Sequence, residues 1–237
     1  MSHTSQRRGL DPSRPGKEMI VLAMIPGRYK EKGGIRTAMS ELALKMLAHR
    51  PHNWLTRNFA EITIPQLGAA QGLVGWLNKY WPETTRRLLM RLVAQRSTVV
   101  TAIYTEPQNT VNLVKEIKGE WLTTNQQEGY PISIVLSGLF DDIHQCCRDT
   151  GVREHTYLHS LGSFGRTGSL PAEDELELIT MCGHGLIAPS RVQHLVEKVR
   201  KREITPMGAA EDITKPCVCG IANRKRAEEI FGRLSEI

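Results

Sequence analysis

Cys182-Gly183-His184-Gly185 and, 33 residues after His184, Cys217-Val218-Cys219-Gly220 constrain this chain more than any other feature. A cysteine set among glycines has few side chains to pack against, so packing alone is a poor reason for it. Glycine lets the backbone turn tightly round an inorganic centre and brings amides close to thiolate sulfurs. Two such loops in one chain predict a fold that closes round a metal or iron–sulfur centre. The pattern names no reaction.

The donor set leaves the centre open between three readings. Iron–sulfur clusters are held by thiolates, usually four. Cys182, Cys217 and Cys219 supply three, and His184 or the reserve thiol Cys147 is the candidate fourth ligand. Three thiolates with one open iron would make a 4Fe-4S cluster able to bind substrate directly. Three thiolates plus His184 equally suit tetrahedral zinc, although zinc loops more often space their cysteines by two to four residues than by one. That spacing tilts the expectation toward a cluster, with zinc as the alternative. The remaining reading is metal-free: buried cysteines that pack as small hydrophobes, or a thiol enzyme with one activated cysteine.

The five cysteines form a poor disulfide framework, being odd in number with Cys146 and Cys147 adjacent, and they fit a reducing, cytoplasmic setting. On a helix, neighbouring residues point about 100° apart, so only one of that pair can face a core or a centre. No apolar run reaches the roughly 18 residues of a membrane span, and residues 1–18 lack the apolar stretch of a secretory signal. They read as a basic flexible arm. The formal net charge of +6 allows a small anionic ligand or an acidic partner.

Strand-like apolar runs at 19–24, 61–64, 98–104, 132–137 and 156–159 alternate with helical patterns at 35–48, 69–80, 83–95, 110–118 and 140–149. Continuous β-branched runs such as Thr98-Val99-Val100-Thr101-Ala102-Ile103 suit strands buried on both faces. The alternation predicts an α/β domain over 19–168 with a mostly parallel, doubly wound sheet. Such sheets carry their working loops at the C-terminal strand ends, here near Arg28, Glu106, Gly138 and Gly162.

From Ser169 the pattern becomes mainly helical. Pro189 opens a helix with Val192, Leu195, Val196 and Val199 at helical spacing. Thr205-Pro206 is a cap followed by proline at the first helical position, and Asn223 caps a last helix. Residues 169–237 thus read as a helical module with its cysteines in the inter-helix loops. The run Glu175-Leu176-Glu177-Leu178-Ile179-Thr180 is assigned to helix because it follows Pro171 with an acidic first turn.

Other segments offer weaker chemistry. Gly162-Ser163-Phe164-Gly165-Arg166-Thr167-Gly168 follows an expected strand and resembles an anion cradle, with Ser163, Gly165 and Arg166 as substrate contacts. It lacks the glycine spacing of a dinucleotide site and the lysine of a nucleoside-triphosphate loop; a plain surface turn is the simpler reading of it. Arg28 lies in a basic strand-to-helix loop, Pro26 onward, that would add a second cation. His159 and His184 are the candidate proton donors. The stretch from Trp76 to Arg96 combines Trp76, Tyr80 and Trp81 with Lys79, Arg86, Arg87, Arg91 and Arg96. Pro82 divides it, and its leucines can face a core, so it reads as a protein-docking hairpin before it reads as a nucleic-acid or lipid surface.

The expectation is a 4Fe-4S-binding protein, acting on a small anionic substrate if it is an enzyme. A zinc-stabilised binding protein is the rival, and a metal-free thiol enzyme the third.

Overall fold

The computed structural model describes residues 18–54, 84, 88, 98–154, 156, 164–217 and 219–236. Strand β1 (Met19–Met24) leads through a short turn to α1 (Ile35–Ala48) and then to the two-residue strand β2 (Asn53–Trp54). Strand β3 (Val99–Tyr104) is followed by α2 (Pro107–Glu116), a wider π turn (Ile117–Trp121) and α3 (Leu122–Gln127). Next come β4 (Ser133–Ser137) and α4 (Phe140–Thr150). The C-terminal helices are α5 (Glu173–Thr180), α6 (Pro189–Arg200), α7 (Pro206–Thr214) and α8 (Arg224–Glu236). Among the described residues no helix is long and apolar enough to cross a membrane.

The strands form one sheet in the order β2-β3-β1-β4. Every pairing is antiparallel: β1 with β3 (Ile20 opposite Ile103), β1 with β4 (Val21 opposite Leu136) and β2 with β3 (Asn53 opposite Ile103). This corrects the expected parallel, doubly wound sheet. Continuous apolar strands arise from burial on both faces, and that burial is the same whichever way the strands run. Since β3 and β4 are both antiparallel to β1, they run in the same direction as each other. The parallel relation implied by the helices between them exists only across the intervening β1, without hydrogen bonds.

The two faces sort by the period of two. Ile20, Leu22 and Ile103 share a core with the C-terminal helices, through residues such as Val192, Leu195, Ile213, Ile230 and Phe231. Val21, Ala23, Val100, Ala102 and Tyr104 share the other core with α1 and α2, through Met39, Leu42, Met46 and Leu113. The Tyr104 hydroxyl donates to the Met46 carbonyl at 2.7 Å, which satisfies a buried polar group and pins α1 to the sheet.

Strand direction also changes where the strand ends lie. The C-terminal end of β1, Met24, sits opposite Val99 and Ser133, the first residues of β3 and β4. The loop carrying Arg28 is therefore at the opposite end of the sheet from those after Tyr104 and Ser137. Among the described strands, no single set of C-terminal ends gathers the expected substrate residues.

The C-terminal helices follow their sequence signals. Pro189 and Pro206 occupy first-turn positions, and the Thr205 hydroxyl accepts the Gly208 amide at 3.0 Å. The Asn223 side-chain oxygen accepts the amides of Lys225 at 3.1 Å and Arg226 at 3.3 Å, capping α8. Residues 175–180 are helical, within α5. The N-terminal arm up to residue 17 lies outside the described residues. So does the expected strand 61–64, and of the helices at 69–80 and 83–95 only Thr84 and Leu88 are described, both helical.

Candidate metal centre

Helix α5 delivers the first loop. It buries Leu176 and Leu178 and ends where the Gly183 amide returns to the Thr180 carbonyl at 2.9 Å. Gly183 and Gly185 have φ of 71° and 65°, the left-handed region that residues with a Cβ avoid. Those two reversals fold His184 back over Cys182, whose Sγ lies 3.1 Å from Nδ1.

Helix α7 delivers the second. The Cys217 amide bonds the Thr214 carbonyl at 3.0 Å, and the Gly220 amide bonds the Cys217 carbonyl at 3.3 Å, with Gly220 at φ 74°. This turn sets the Cys217 and Cys219 sulfurs 3.8 Å apart. The imidazole Nδ1 of His184 lies 3.9 Å from the Cys219 sulfur. The same ring nitrogen links Cys182 to the second loop. Three sulfurs and one ring nitrogen, from loops far apart in sequence, thus meet in one place.

Their surroundings are closed. Cys182 and Cys217 are 1% exposed and Cys219 is 7% exposed, and all three belong to the core shared with the sheet. His184 is half-buried and forms the outer wall. The Ala222 amide points at the Cys217 sulfur from 3.3 Å. Hydrogen bonds from Cys182 and then Cys219, helped by the Ala222 and Ile221 amides, hold the Cys217 thiol far below its usual range. The same contacts push Cys182 and Cys219 up, by way of Cys217 and Cys182 respectively. The negative charge thus gathers on Cys217, the sulfur that receives the Ala222 amide. The donors touch one another, and among the described residues no group of three or more His, Cys, Asp or Glu side chains is laid out as a ready metal site.

No family model, no curated protein and no solved structure matches this chain.

The second loop is fastened to the sheet. The Thr101 hydroxyl, in the middle of β3, donates to the Cys219 carbonyl at 2.5 Å. Just beyond the loop, the Asn223 side chain donates to Glu18 at 2.8 Å. Arg226 bridges Glu18 at 3.0 Å and Glu177 at 2.5 Å, and both carboxylates are buried. This ionic group joins the start of β1 to α5 and α8. The sequence reading missed Glu18, Thr101, Glu177 and Arg226. A threonine in step with core-facing Ile103 was the available signal for Thr101; pairing of Glu18 with a residue some two hundred positions away had none.

The other expected site residues do not join the centre. Cys147 is buried with Cys146 in a different core, beside Met19, Val111, Val114 and Ile143. Arg28 is exposed, with its guanidinium 4.8 Å above the Tyr29 ring. Arg166 and Gly165 lie in an exposed loop, where Gly165 takes φ 85°. His159 and Ser163 lie outside the described residues, as does the docking stretch from Trp76 to Arg96 apart from Thr84 and Leu88. A groove of about 390 Å³ opens elsewhere, lined by His52, Met207, Glu211, Arg224, Lys225 and Glu228. It mixes two cations with two carboxylates, and Arg224 already faces Glu211 at 3.8 Å, so it is no simple anion pocket.

Proposed function

We propose that this chain is a metal-binding protein whose C-terminal helices are built round a centre of Cys182, His184, Cys217 and Cys219. The observation that carries the reading is the meeting of three sulfurs and an imidazole at the tips of two glycine turns. Thiolate and imidazole donors suit zinc and iron–sulfur centres and disfavour calcium or magnesium.

The position of the centre supports a binding or scaffolding role over catalysis. It lies over the middle of β3, through the Thr101 contact, and not at a cleft beside strand ends. The cations expected to hold a substrate, Arg28 and Arg166, are exposed in separate loops. A centre there fastens two inter-helix loops to the sheet, where bound metal contributes directly to folding free energy.

Metal analysis of protein purified anaerobically tests the proposal. Stoichiometric zinc or iron is expected in the parent chain and in Cys147→Ala, and its loss in Cys217→Ala. A parent protein that folds without metal, and takes up neither zinc nor iron with sulfide, would overturn it.

A further inference from the structure

We infer that the centre takes a single tetrahedral ion of the zinc class, with all four positions filled by protein, and not a multi-iron cluster. This rests on the metal-centre reading above and goes further, to the nuclearity of the centre and hence its chemistry. Ligand distances of about 2.3 Å for thiolate and about 2.0 Å for imidazole, at tetrahedral angles, place two thiolates about 3.8 Å apart and a thiolate about 3.5 Å from the nitrogen. The Cys217 and Cys219 sulfurs are 3.8 Å apart. The His184 nitrogen lies 3.1 Å from Cys182 and 3.9 Å from Cys219, on either side of the expected spacing. These three separations straddle the spacing that donors take round one ion.

A cluster asks for something else. Each thiolate binds its own iron, and bridging sulfides fill the space between irons, so the cysteine sulfurs must stand well apart. Here the Cys217 and Cys219 sulfurs stand 3.8 Å apart, and His184 Nδ1 lies 3.1 Å from Cys182 and 3.9 Å from Cys219. Opening the triangle would pull the second loop off its anchors, namely Thr101 on the Cys219 carbonyl and the Ala222 amide on the Cys217 sulfur. The loops are also packed into the core with Ile187, Ile221 and Ala222.

The chemistry follows from the ligand count. Three thiolates, a neutral imidazole and a divalent ion leave one net negative charge, which the Ala222 amide faces. With four protein ligands there is no open position for water or substrate, as in structural zinc sites. His184 is the ligand most open to solvent. It therefore controls exchange of the ion.

The test uses the full chain, expressed with zinc, then exchanged with cobalt. Expected are one zinc per chain, no acid-labile sulfide, and a cobalt form with thiolate charge-transfer and tetrahedral ligand-field bands. His184→Ala should weaken zinc retention at least about tenfold, and His184→Cys should restore it. Iron with acid-labile sulfide in the anaerobic protein would overturn the single-ion assignment while sparing the metal-centre reading. An octahedral cobalt spectrum, or unchanged zinc affinity in His184→Ala, would also overturn it. Absence of metal under every condition would remove both readings.

Discussion

Cys217 and Cys146 are both buried thiols, but their neighbours ask different things of them. Cys217 receives a backbone amide and two thiol hydrogen bonds, the surroundings of an anion. Cys146 sits among apolar side chains, and burial pushes its thiol up to about 12. The second environment is that of an inert packing residue. Cys147→Ala, in the same apolar core, should cost about 1 kcal/mol, the scale of one lost buried group. Denaturant titration checks this, with metal content unchanged. Arg226 is a sharper case. It lies between Glu18 and Glu177, both buried. Arg226→Met would remove the cation that bridges two buried carboxylates and should destabilise by about 3–5 kcal/mol. Replacing Glu18 with Gln in that variant should recover part of the loss; no recovery would show that Arg226 acts through packing instead. Gly34 is fixed by space as well as by φ of 82°: a Cβ there would fall 1.8 Å from the Tyr130 hydroxyl. Gly34→Ala should cost about 1–3 kcal/mol of strain, read as a lowered denaturation midpoint.

At the scale of elements, the helices were legible because their signals are local. Pro189, Thr205-Pro206 and Asn223 marked starts, and apolar residues at helical spacing marked the buried face of α6. The strands were legible as segments for the same reason: β1 spans Met19–Met24, the run expected for it. Their direction was not. An antiparallel sheet covered on both faces writes the same continuous apolar run as a parallel one, and no local pattern in β1, β3 or β4 records which way the strand runs. The candidate centre was legible in its donors, since cysteine, histidine and positive-φ glycine are chemical choices at single positions. The expected substrate residues rested on the parallel sheet and do not gather once the strand ends alternate. The link between centre and sheet suggests a test at this scale. Thr101→Val keeps the shape but removes the donor to the Cys219 carbonyl, leaving a buried acceptor unpaired. The expected cost is about 1–3 kcal/mol, with faster loss of metal to a chelator. Equal stability and equal chelation rate would show that the loop is positioned without β3.

Across the described residues, the sheet separates two of the cores, and the candidate centre belongs to only one of them. Ile20, Leu22 and Ile103 share their core with the cysteine loops, while Val21, Ala102 and Tyr104 share theirs with α1 and α2. Stripping the metal should therefore loosen α5 to α8 first. Hydrogen exchange should rise across 173–236 on chelation and change little across α1 and α2; a uniform rise would mean that the two cores melt together. The central claim is that Cys182, His184, Cys217 and Cys219 hold one ion. X-ray absorption at the metal edge of the purified protein reads that shell directly. The account predicts three sulfurs at about 2.3 Å and one nitrogen at about 2.0 Å. A shell of light atoms alone, or scattering from a second metal close to the first, would contradict it.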